Sequence, residues 1–177
     1  MPAFRNTIAM CSAIVAFGVA ATSAFAVGET ASATLKVVDG SDAGVVTFTE
    51  AAAGVLIKFD LKGLPPGPHA VHIHERGICE ADFTGTRGIF NPLGAQHGFL
   101  NEEGPMAGDL PNINVGQDGT VVAEVLSPFL ALGKDVEDGL FDADGSAVVL
   151  FEKADDYLSD PEGGAGARIA CGVLKPK

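Results

Sequence analysis

Apolar and polar residues alternate along this chain in short runs, and nowhere do they hold the spacing of a helix face for three turns. Residues 33–38, 44–50, 55–61, 70–74, 120–125 and 147–152 each read as a strand, with β-branched and aromatic side chains set between polar neighbours. The turns between them are explicit: Asp39 with Gly40, the run 62–68, Asp118 with Gly119, and Asp144 with Gly145. Many short strands joined by glycine- and proline-bearing turns predict an all-β fold, a Greek-key sandwich or barrel.

Two segments break the rhythm. Residues 75–114 are dense in glycine and proline and too long for an ordinary connection, and ordered loops of that length usually carry function. Residues 153–167, rich in Asp and Gly, lead into a last apolar run from Arg168 to Val173.

The candidate chemistry lies beside the first long loop. Three of the four histidines, His69, His72 and His74, fall in one burst, and His97 is the fourth. In an extended strand His72 and His74 share a face while Val71 and Ile73 take the other. Two neighbouring imidazoles suit copper or zinc. A solvated edge strand carries the same spacing, and a metal site needs further ligands.

The first 26 residues have the form of a cleaved secretory leader: Arg5, an apolar run over 8–21, and Ala24, Phe25, Ala26 ahead of Val27. Cys11 leaves with it, and residues 27–177 are expected to form a single domain in the periplasm or outside the cell. No later run is apolar long enough to span a bilayer, so no membrane insertion is expected after cleavage. Cleavage removes one of 11 basic residues and none of the 23 acidic ones, moving the net charge from −12 to −13. Such a field repels polyanions, which argues against nucleic acid as a partner. Cys79 and Cys171 are then the only cysteines, and in an exported chain one disulfide is the simplest outcome. A thiol pair holding metal is the alternative.

These residues resemble the exported bacterial copper/zinc superoxide dismutases. The resemblance is carried by Gly63, Leu64, Pro65, Pro66 and Gly67 before the histidine burst and Glu75. It continues through Cys79; Phe90, Asn91, Pro92 and Leu93; His97 and Gly98; Gly108 to Asn112; Asp118 and Gly119; Lys153 to Asp156; and Gly166 to Val173. They follow in the family's order, with a slightly shorter connection between Cys79 and Phe90. In that family copper sits on four histidines and zinc on three histidines and an aspartate, one histidine being shared.

The resemblance puts His72 and His74 on the copper side, His97 and Asp109 on the zinc side, and Arg168 at the anion-guiding position. Asp155 becomes the carboxylate that links the two metal sites, and His69 a structural histidine. Three ligand positions are lost: Ile89 replaces the bridging histidine, Met106 a zinc histidine and Phe151 a copper histidine. The expectation is a degenerate member, a pseudoenzyme that captures copper, weakly or as Cu(I), on the His pair or that serves as a binding module. Zinc is not expected to bind. The enzyme-class alternative is a residual copper-dependent dismutase converting superoxide to oxygen and hydrogen peroxide. A homodimer or an unidentified protein partner is compatible with either.

Overall fold

The structure is a computed structural model, described here for residues 27–133 and 139–177; the leader expected over residues 1–26, with Cys11, lies outside the described residues. Ten strands follow in order: β1 (Thr30–Val37), β2 (Asp42–Ala51), β3 (Gly54–Leu61), β4 (Gly67–His69), β5 (Val71–His74), β6 (Ile113–Val115), β7 (Val121–Ser127), β8 (Ala147–Phe151), β9 (Arg168–Val173) and β10 (Lys175–Pro176). A single 3₁₀ turn, Thr84–Thr86, interrupts the first long loop.

One antiparallel sheet runs β5-β8-β9-β1-β2-β3-β7, with β10 added to β1, and a second small sheet pairs β4 with β6. Ala70 alone separates β4 from β5, and a tight turn over 116–119 joins β6 to β7. The two sheets therefore curl toward each other as an all-β Greek-key barrel, with crossovers after β3 and β7.

The predicted strands are all present within a few residues of their expected ends, while β4, β6 and β10 were not foreseen. At two or three residues each they are too short to show a period.

The main core lies inside the barrel, where Leu35, Phe48, Ile57, Phe59, Ile73 and Leu150 are fully buried. Burial does not stop at the barrel wall. Every residue of β5 and β8 is buried, because the two long loops cover their outer face. A second apolar cluster there comprises Ala70, Phe83, Ala147, Val149, Phe151, Ala165 and Cys171. Cys79 and Cys171 form a disulfide with Cα atoms 5.7 Å apart, fastening the first loop to β9.

Candidate metal centre

His72 and His74 stand on the outer face of β5, as the alternation predicts, while Val71 and Ile73 enter the barrel core. The first long loop returns along this strand as a ragged extra layer. The Ile73 amide donates to the Gly108 carbonyl at 2.9 Å and the Phe90 amide to the Ile73 carbonyl at 2.8 Å. These contacts set Asp109 opposite His72 and Ile89 opposite His74. Glycine is required at position 108, where a Cβ would strike the Ile73 carbonyl oxygen.

Each of the two imidazoles spends one ring nitrogen on a fixed acceptor. His74 Nδ1 donates to the Arg87 carbonyl at 2.9 Å, and His72 Nε2 to Asp155 Oδ2 at 3.0 Å. The remaining nitrogens, His74 Nε2 and His72 Nδ1, are buried and have no partner. Since carbonyls and carboxylates only accept, the bonded nitrogens carry the protons, and His72 Nδ1 and His74 Nε2 are the ring nitrogens left open to a partner. Burial, followed by the nearby Arg168 charge, pushes His74 down to about 3, so its ring is neutral at ordinary pH. His69 differs: its ring reaches the Phe151 and Pro65 carbonyls and holds β4 against the end of β8.

His97 has no free nitrogen. Its Nδ1 meets Asp109 Oδ1 at 2.8 Å and its Nε2 meets Asp155 Oδ1 at 3.0 Å. Burial works against charging this ring, but the hydrogen bonds to Asp109 and Asp155 outweigh it and raise its pKa to about 10. Burial likewise works against the Asp155 carboxylate, yet hydrogen bonds from His72 and His97 hold its pKa well below the usual carboxylate range. Asp109 also accepts the Gly98 and Met106 amides, both at 2.9 Å, so it shapes the loop directly. Asn112 pairs with the Asp155 backbone through both ends of its amide. The backbone acceptor of His74 carried no signal in the sequence, and Asn112 stood out there only as the end of the run from Gly108 that carries the resemblance.

The three lost ligand positions are occupied by apolar bulk or loop backbone. Phe151 is fully buried, its ring centroid 5.2 Å from that of His72 and 5.8 Å from that of His74, nearly parallel to the latter. Ile89 is buried beside His74, and Met106 is half-buried with its amide on Asp109. Arg168 braces the loop: it donates to the Phe83 and Arg87 carbonyls and to Thr86 Oγ1, and pairs with Glu162 Oε1 at 2.5 Å.

His72, His97 and Asp155 form a group of potential ligands whose donor atoms lie within 4.8 Å of one another, but those atoms already satisfy each other. What fits an incoming metal is the pair of open ring nitrogens. Two imidazole nitrogens side by side suit low-coordinate copper. Zinc, which needs three or four protein ligands, finds the His97 ring and Asp109 already engaged.

Residues 42–174 match the model of the copper/zinc superoxide dismutase family. The chain is 49% identical to superoxide dismutase [Cu-Zn] 2 of Aquifex aeolicus (strain VF5), over 77% of this chain and 81% of that one. It is 42% identical to the superoxide dismutase-like protein YojM of Bacillus subtilis (strain 168), over 77% and 71%. Among solved structures it resembles a double mutant of a SOD-like protein from Bacillus subtilis in which a tyrosine and a proline are each replaced by histidine. That likeness has a TM-score of 0.78 at 41% identity, covering 80% of this chain and 95% of that one.

Proposed function

Since this chain belongs to the copper/zinc superoxide dismutase family, we propose that it is an exported, degenerate member that captures copper on His72 and His74 and dismutates superoxide poorly. The observation that carries this reading is the pair of buried, unpartnered nitrogens, His72 Nδ1 and His74 Nε2, beside the ring of Phe151. Asp155 and the Arg87 carbonyl hold the two rings so that these nitrogens stay open. Copper, when bound, supplies one-electron redox chemistry. The surrounding residues supply little of what dismutation needs in addition.

Ile89 has no proton to relay, and Phe151 adds bulk where a further imidazole would bind. Arg168 is held by loop carbonyls and by Glu162, so its charge is largely spent. The disulfide fits an oxidising compartment, periplasmic or extracellular.

The test is metal analysis of protein purified from the exported fraction, with Cu(I) competition titration and a dismutation assay. The expected result is one copper per chain and a dismutation rate orders of magnitude below that of an intact family member. Near-diffusion-limited, cyanide-sensitive dismutation would establish the enzyme reading instead. Absence of copper binding would leave a binding module without metal.

A further inference from the structure

Away from the imidazoles, the tips of the two long loops meet and turn apolar side chains outward. Phe99, Leu100 and Leu158 are 39%, 70% and 55% exposed. They form one patch with Tyr157: the Phe99 ring lies 5.5 Å from the Tyr157 ring, edge to face, and the Leu100 amide donates to the Tyr157 carbonyl at 2.9 Å. Gly98 admits that approach, since a Cβ there would strike the same carbonyl. Tyr157 itself stands at a φ of +63°, which a bulky residue adopts only where its surroundings impose it. The Asn112 amide donates to its hydroxyl oxygen at 2.7 Å, and Asp156 accepts the Leu158 and Ser159 amides. Three apolar side chains are thus held in water by hydrogen bonds that do not depend on burying them.

Charge decides what covers them. Glu102, Glu103, Asp156 and Asp160 are exposed on the same two tips, and neither residues 91–112 nor residues 154–167 include a lysine or arginine. A second copy would bring acid against acid, and an anionic membrane would be repelled in the same way. Leu56 and Leu126, an exposed apolar pair across β3 and β7, sit instead beside Lys58 and Glu124, opposite charges that select no partner. We propose that the joined loop tips are a docking surface for a protein that presents apolar side chains ringed by lysine and arginine. Apolar contact at the centre supplies affinity, and the acidic rim selects the partner and speeds its approach. Docking here requires no copper at His72 or His74.

The probe is a synthetic helix of leucine and lysine, about 18 residues long with leucine along one face, added to the ¹⁵N-labelled exported protein. Its amide shift changes are expected to centre on residues 96–103 and 156–160, and its affinity to fall as salt screens the rim. A peptide of the same composition with its leucines scattered is expected to bind about tenfold more weakly, for want of an apolar face. Shift changes spread over the barrel, or equal binding of the scattered peptide, would overturn the proposal, since both mark general attraction between opposite charges.

Two paired variants separate the patch from its rim. Leu100→Ser with Leu158→Ser removes only exposed side chains, so the thermal midpoint is expected to hold while affinity for the helix falls about tenfold. Glu102→Gln with Glu103→Gln is expected to weaken binding at low salt and to flatten its salt dependence. Unchanged affinity in both would overturn the docking surface. Helix binding at these tips by protein that holds no copper would support the surface and refute only the copper reading.

Discussion

At the residue scale the charged pairs set a pH window. His97, raised from 6.5 to about 10, stabilises the fold fully below its ordinary value and loses that contribution as pH climbs through about 10. Asp155, depressed below 3.8, contributes above that value and loses its contribution as pH falls toward its folded pKa. The thermal midpoint of metal-free protein should therefore be highest near pH 6.5: above it the His97 contribution is lost, and below it His74, neutral in the fold down to about 3, is charged in the unfolded chain, with Asp155 adding its loss at lower pH. His97→Gln should flatten the alkaline slope, and an unchanged slope in that variant would assign it to another group. Phe151 has two consequences of its own. Phe151→Ala should cost about 3–5 kcal/mol in denaturant unfolding, because a fully buried ring leaves a cavity between β8 and the loops. Phe151→His, Ile89→His and Met106→His singly should leave dismutation low, whereas the triple variant should recover it substantially, since such groups act as a unit. A triple variant that binds both metals and stays inactive would place the defect in the loops.

Among the elements, the two long loops matter more than the strands they leave. The disulfide closes a sequence separation of 92 residues, and in the chain-entropy model such closure is worth about 4–5 kcal/mol. Reduction, or Cys79→Ala with Cys171→Ala, should lower stability by that order. It should also expose the stretch after Cys79 first, because Arg168 and the cysteine pair hold it at neighbouring points. Limited proteolysis that cuts elsewhere first would contradict this. The second loop depends on Gly163, whose φ of +63° and contact with Asp155 admit no side chain. Gly163→Ala should loosen residues 153–167 and weaken the His97 bridge, visible as faster amide exchange there. The longer strands were legible because their alternation spans four or more residues. β6 was hidden inside the end of a loop, and β4 contains Pro68, a residue that argues against a strand.

For the whole molecule, the formal charge of −12 works against an anionic substrate, and the cation best placed to offset it, Arg168, is paired with Glu162. In the triple variant the dismutation rate should therefore rise with added salt, which screens repulsion over about a 10 Å Debye length at 0.1 M. A rate that falls with salt would mean that local attraction at Arg168 wins. The all-β class, the shared face of His72 and His74, and the family resemblance all follow from the chain alone, because side-chain alternation and turn residues are local properties. So does the loss of three ligand positions, read directly from Ile89, Met106 and Phe151. Only the tertiary structure decided which nitrogens stay free. That depends on the Arg87 carbonyl and Asp155, which reach His74 and His72 from distant segments, 13 and 83 residues away in sequence. It also showed His97, a zinc-ligand position by resemblance, spent between two carboxylates. A residue's chemical role depends on which donors and acceptors the fold brings to it, and hydrogen bonds between distant segments leave no local period in the sequence.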